Sequence, residues 1–205
     1  MGKIITGLTA LILLVSSLLI GLTVASVMSE GTSGDTGGDI DQMTGEIIDE
    51  ISTYIQIRDQ KGKFYEVDGV QKIEKIALLI SPLVTQDIDV SQLTIQLSNG
   101  ETVRMLTYGD AEYIGSNSLF EHPIWNNMTG GNFGFISIID IDESLVDYNT
   151  INDYSDNAYV IFRLPPDMAL AKHDKIIVTL FPSTGTTRVI ELEAPMPMSS
   201  VVTFE

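Results

Sequence analysis

From Ile4 to Met28 the chain reads IITGLTALILLVSSLLIGLTVASVM, with no charged residue and no proline, and apolar side chains fall on every helical face. At about 1.5 Å per helical residue this stretch predicts a rod of about 37 Å, long enough to cross the hydrocarbon core of a bilayer. No polar stripe faces water, so such a helix has to be buried all round, in lipid or in a bundle of its own kind. Ser17, Gly21 and Ala25 recur at four-residue steps. That spacing sets three small side chains on one line, where a neighbouring helix backbone can approach closely.

The pattern then changes twice. SEGTSGDTGGD, from Ser29 to Asp39, is rich in glycine and turn-forming residues and predicts a break or flexible stalk. Ile40, Met43, Ile47, Ile51 and Tyr54 return at three- and four-residue steps behind Asp39 as a cap, which predicts a second, amphipathic helix to about Ile57. After Lys61 and Gly62 the period becomes two. Ile73–Ile80, Asp89–Leu97, Glu101–Leu106, Phe133–Ile139, Ala158–Leu164, Lys175–Phe181, Thr187–Glu193 and Ser200–Phe204 are short, β-branched and bounded by turn chemistry. Asn99-Gly100 predicts a type I′ hairpin, and the stretch Pro182 to Gly185 predicts a second hairpin with a longer loop.

Strands with no helix between them argue for antiparallel β structure. The expected fold is α+β: a long N-terminal hydrophobic helix followed by an antiparallel, immunoglobulin-like β-sandwich. Residues 1–57 would hold the leader, the core helix and the stalk with its second helix, and residues 58–205 the β-sandwich outer domain.

Composition narrows the setting. A chain of 205 residues leaves room for one β domain with a proper core beyond the helix. There is no cysteine, which excludes disulfides, thiolate metal sites and a cysteine nucleophile. The net charge is −17, every acidic residue comes after the helix beginning with Glu30, and Lys3 is the one charge before it. This asymmetry places the N-terminus in the cytoplasm and the acidic body outside. A surface this negative repels nucleic acid and anionic lipid. Met1, Gly2 and Lys3 are too few for an ordinary secretory leader, and no small-x-small cleavage site follows the apolar run, so the run is expected to stay in the mature protein.

Little in the chain suggests reaction chemistry. His122 and His173 lie far apart beside loop residues, without partners at metal-ligand or triad spacing, and read as ordinary surface residues. Gly130 and Gly131 lead into a strand rather than a helix and read as a turn, not a phosphate loop. Asp140, Asp142 and Glu143, followed by Asp147, Asp153 and Asp156, could collect oxygen ligands for a structural divalent cation such as calcium. They lack the ligand order of a helix-loop-helix calcium loop, and a solvated acidic loop is the plainer reading. No catalytic or cofactor-binding residue emerges. Asn127-Met128-Thr129 is an N-glycosylation acceptor pattern in a loop between strands.

The layout resembles the archaeal flagellins, or archaellins, of the type IV pilin-like superfamily. The resemblance rests on KIITGLTALI at the N-terminus, on the phrase DIDVS from Asp87 to Ser91 between two strands, and on the closing KIIVTLFPSTGTTRVIELEAPMP. It implies a structural, non-enzymatic subunit of the archaellum that polymerises through its N-terminal helix for swimming motility. Ser17, Gly21 and Ala25 would give close packing, and Leu11, Leu14, Leu18 and Leu22 would fill the bundle. Gly2, Lys3 and Ile4 mark the region of leader processing. The implied partners are copies of the chain, other archaellin subunits, a prepilin-type peptidase and a membrane export platform. The implied location is the cytoplasmic membrane before assembly and the extracellular filament after it. A single-pass membrane-anchored accessory or stator subunit of the same motor, or an adhesion pilin, is the alternative.

Overall fold

The computed structural model describes residues 55–67, 69–83, 85–183, 186–196 and 199–204. The apolar segment from Ile4 to Met28, the stalk and the residues Ile40 to Tyr54 of the expected second helix lie outside the described residues.

The β domain begins with a long hairpin, β1 (Ile55–Val67) and β2 (Val70–Pro82), turned at Gly69 with a φ of +78°. The pairing runs from Ile55 opposite Pro82 to Val67 opposite Val70. This corrects the expected reach of the second helix to about Ile57: Ile55, Gln56 and Ile57 are strand residues paired with Pro82, Ser81 and Ile80. The β-branched residues Ile55 and Ile57 suit a pleated surface, and tertiary pairing overrides the helical spacing that leads up to them. Strand structure likewise begins ahead of Gly62 rather than after it. Gly62 sits in mid-strand, where an added Cβ would lie 2.9 Å from the Phe204 ring, so glycine lets the C-terminal aromatic seal the core.

The remaining elements are β3 (Ile88–Asp89), β4 (Thr94–Ser98), β5 (Val103–Tyr113), β6 (Asn132–Ile139), α1 (Ser144–Tyr148), β7 (Thr150–Ile151), β8 (Asn157–Arg163), β9 (Lys175–Phe181), β10 (Arg188–Glu193) and β11 (Val201–Thr203). Seven of them join β1 and β2 in one nine-stranded sheet in the order β10-β9-β4-β5-β6-β8-β2-β1-β11, and β3 pairs with β7 apart from it. The expected two-sheet, immunoglobulin-like sandwich is therefore replaced by a single continuous sheet that curls. Side chains from its middle and from one end, such as Leu78, Phe133 and Phe162 with Ile95, Val178 and Leu180, share one buried cluster. That core shows the period-two signal directly, as in Ile76, Leu78 and Ile80 on β2 or Val160 and Phe162 on β8, all shielded from solvent.

The expectation of a purely antiparallel sheet is corrected too, because β5 and β6 pair in parallel. Parallel neighbours need a crossover rather than a tight turn. Here residues 114–131 supply it, through 3-10 turns at Leu119–Glu121 and Pro123–Asn126. The crossover lies over the outer face of β2, β6 and β8, where Phe120, Ile124, Trp125 and Met128 pack with Ala77, Ile136, Tyr159 and Ile161 in a second core. The middle of the sheet is thus buried on both faces.

The two hairpins form, one of them with a different turn. β9 and β10 pair as expected across the loop after Pro182. In the β4–β5 hairpin Gly100 takes a φ of +87°, Asn99 keeps a negative φ, and the Asn99 side-chain carbonyl accepts the N–H groups of Glu101 and Thr102. A type I′ turn needs positive φ at both central residues. This turn is centred one residue later and is held by an asparagine side chain instead.

Candidate functional site

The acidic residues singled out from the sequence fall in the connection from β6 to β8, which contains α1 and β7. Glu143 and Asn149 flank α1 with φ of 61° and 56°, and these left-handed turns fold the segment back on itself. Carboxylate oxygens of Asp140, Asp142 and Asp156 come within 4.8 Å of one another. The set is of the hard-oxygen type that a divalent cation accepts. Each carboxylate nevertheless works as an internal cap. Asp140 accepts the N–H groups of Ser144 and Leu145 at 3.1 Å each, and buried Asp156 accepts those of Asn152 at 3.0 Å and Asp153 at 2.9 Å. Asp142 accepts the Asn152 amide at 2.8 Å, the main reason its pKa falls to about 2, whereas burial raises that of Asp140. The backbone of the loop gathers these carboxylates, which orders the connection without implying a reaction. Asp147 and Asp153 are not part of the three-residue set.

His173 is exposed with a φ of 68°, as a loop residue, but His122 is not the surface residue expected. It is buried at 4 % exposure, its Nε2 donating to the Tyr113 carbonyl at 2.9 Å and its Nδ1 accepting the Ile124 N–H at 3.3 Å. It pins the crossover to the end of β5, and the X-Pro step that follows gave no hint of it. Gly130 and Gly131 form a turn into β6, as read from sequence, held by Asn132 accepting from the Thr129 backbone and hydroxyl. Asn127 ends a 3-10 turn and is exposed on the crossover.

One charged group inside the fold went unforeseen. Lys75 is 8 % exposed, its Nζ donates to the Phe120 carbonyl at 2.9 Å, and it lies 4.9 Å over the Trp125 ring. Burial, with Arg163 and Lys63 nearby, lowers its pKa to about 8. The available signal was the apolar run from Ile76 to Ile80, whose lack of alternation means cover on both faces.

The helix-packing residues Ser17, Gly21, Ala25, Leu11, Leu14, Leu18 and Leu22, and the processing region Gly2, Lys3 and Ile4, lie outside the described residues. Among the described residues, no helix is long and apolar enough to cross a membrane.

Residues 5–192 match the family model described as archaeal-type flagellin. The chain belongs to this archaeal-type flagellin family, and its function is that of a structural subunit of the archaellum filament. Flagellin B3 of Methanocaldococcus jannaschii is 26 % identical over 208 residues, covering 97 % of this chain and 94 % of the relative. The crystal structure of flagellin FlaB1 from the same organism shares the fold with a TM-score of 0.66 at 19 % identity, covering 73 % of this chain and 95 % of that one. The archaeal flagellum of Methanospirillum hungatei matches with a TM-score of 0.54 at 11 % identity, over 97 % and 99 % of the two chains.

Proposed function

We propose that the chain polymerises by burying its N-terminal helix in a central bundle and displaying the β domain outside, without enzymatic activity of its own. The observation that carries this reading is the span of the family match, which runs from Ile5 through the apolar segment and across the β domain to Leu192 as one unit. A helix apolar on every face suits both stages of such a life: it is stored in the cytoplasmic membrane first and buried among copies afterwards. Ser17, Gly21 and Ala25 give the line of close approach, and Leu11, Leu14, Leu18 and Leu22 fill the bundle. A prepilin-type peptidase removes the leader in the region of Gly2, Lys3 and Ile4, and a membrane export platform draws the helix out. Other archaellin subunits share the extracellular filament, and Asn127, exposed on the crossover, accepts an N-linked glycan.

Electron microscopy of sheared surface filaments, with mass spectrometry of their peptides, tests this. Bulk presence of the chain, beginning within its first few residues and retaining the apolar segment, is the expected result. Its presence only in membranes, with the leader intact, would refute the reading. The substitution Gly21→Leu is expected to abolish filaments while the β domain stays folded, and normal filaments would sink the packing assignment.

A further inference from the structure

The distribution of charge over the β domain is uneven for a chain at −17. Arg58, Lys61, Lys63, Lys72 and Lys75 all fall on the β1–β2 hairpin, five of the chain's eleven basic residues. The segment from Asp140 to Asp156 carries six acidic residues and no basic one. Two of the bases, Lys61 and Lys63, border a groove of about 410 Å³ between the β11 edge and the crossover, which Leu119, Phe120, Glu121 and Val201 also line. Apolar Leu119, Phe120 and Val201 share it with two amines and the Glu121 carboxylate. At the other site Ile141 projects at 83 % exposure between Asp140 and Asp142, with Glu143 next to it. One chain therefore carries an apolar groove rimmed by lysines and a projecting apolar residue flanked by carboxylates.

We propose that the Ile141 knob of one subunit docks in the Lys61–Lys63 groove of a second copy in the filament. The inference rests on the filament reading, which supplies the second copy. Knob and groove are different surfaces, so the contact is heterologous, and a heterologous contact that does not close on itself propagates as a helix. Copies of so acidic a chain repel one another, and complementary patches select the register in which they can meet. The present partners of the lysines do not block the groove. Lys61, 32 % exposed, pairs with Asp59 at 2.9 Å and donates to the Tyr159 hydroxyl at 3.1 Å, and Lys63, 18 % exposed, pairs with Glu121, which is 67 % exposed. An ammonium has three N–H donors, so each lysine keeps at least one for a further carboxylate.

The knob cannot reach the groove of its own chain. Lys63 is in register with Lys75, and Lys75 with Arg163, whereas the knob follows Ile139, which pairs with Asn157. Lys61, in register with Ala77 and through it Ile161, is nearer, four residues of β8 or about 13 Å along the strand from Asn157 at about 3.3 Å per residue, and three strand spacings of about 4.8 Å lie between β1 and β6.

Zero-length carbodiimide coupling of wild-type filaments, followed by peptide mass spectrometry, tests the contact without altering the protein. The expected products are amides joining Lys61 or Lys63 to Asp142 or Glu143, which that distance assigns to neighbouring subunits. Coupling of these lysines to Asp59 and Glu121 alone would overturn the proposal. As a second measurement, K61E with K63E, and separately D142K with E143K, are expected to lose filaments, and combining all four to restore them. Filaments unaffected by either pair would also overturn it. Filaments that lack this chain altogether would instead refute the filament reading itself.

Discussion

Replacing Phe120 with alanine asks whether the crossover of residues 114–131 is part of the fold or a loop laid over it. Phe120 is 5 % exposed and stacks on Trp125, with ring centroids 5.8 Å apart and planes inclined by 22°. Truncating a buried phenylalanine costs about 3–5 kcal/mol through lost transfer energy and a residual cavity. The aromatic pair itself accounts for about 0.5–1.5 kcal/mol of that. The bond from Lys75 to the Phe120 carbonyl involves backbone and survives the change, so the loss reports on the ring alone. For a domain of this size the cost corresponds to a fall in Tm of about 10 °C. The chain has one tryptophan, Trp125, at 1 % exposure in the same cluster, so its emission reads this core directly. Urea unfolding followed by Trp125 emission and by far-ultraviolet circular dichroism is the assay. Because β2, β6 and β8 contribute to both cores, the two signals are expected to move together to lower urea in the variant. A loss below about 1 kcal/mol would refute the packing argument. So would a tryptophan transition that separates from the strand signal.

Three further perturbations test other parts of the domain. Gly134→Ala places a Cβ 2.8 Å from the Asp110 carbonyl oxygen, in the parallel pairing beside the irregularity at Tyr108 and Asp110, and should cost about 1–3 kcal/mol by overpacking; an unchanged melting temperature would contradict the close approach. Lys75 has a folded pKa near 8, below its ordinary 10.5, so between those values the unfolded chain holds a proton that the folded chain has released, and stability rises with pH. The stability of wild type relative to Lys75→Met should therefore increase from pH 7 to pH 9.5, and a constant difference in urea midpoint would refute the assignment. Asp156→Ala leaves the part-buried N–H groups of Asn152 and Asp153 without their acceptor and should cost about 1–2 kcal/mol in thermal melts, with Asp156→Asn losing less; a neutral alanine variant would show that the carboxylate does not hold the loop.

The strands were legible wherever one face met the core and the other met water. β9 coincides with the stretch read from period two, its first half alternating as exposed Lys175 and Ile177 against buried Ile176 and Val178, and β8, buried on both faces, was still legible within a residue from its run of β-branched and aromatic residues. The sequence misleads where two influences overlap. Ile51 and Tyr54 extend a helical spacing up to Ile55, where pairing with Pro82 takes over. The second half of β5 stayed hidden because Gly109, Asp110 and Glu112 interrupt the apolar alternation, and its partner β6 arrives only after the crossover. Parallel pairing, and with it the single curled sheet, depends on contacts distant in sequence that local turn chemistry cannot signal. Among candidate site residues, the acidic run was visible as charge, but only the left-handed turns at Glu143 and Asn149 bring Asp140 and Asp142 to Asp156. Burial of His122 likewise comes from the crossover folding back onto β5, and nothing in its sequence neighbours encodes that.

The two halves of the chain set opposing terms in assembly. Helix burial acts at contact, whereas repulsion between β domains in a chain at −17 reaches to about a Debye length, roughly 8 Å at physiological ionic strength. A uniformly negative β domain would oppose helix packing at every relative position of two copies. Concentrating bases on β1 and β2, and acids beyond β6, makes that opposition depend on position. Repulsion then weakens most where the hairpin of one copy faces the acidic connection of the next. On the proposed assembly, the small residues of the helix set how closely subunits approach, and the charge pattern of the β domain sets which of the available staggers they adopt.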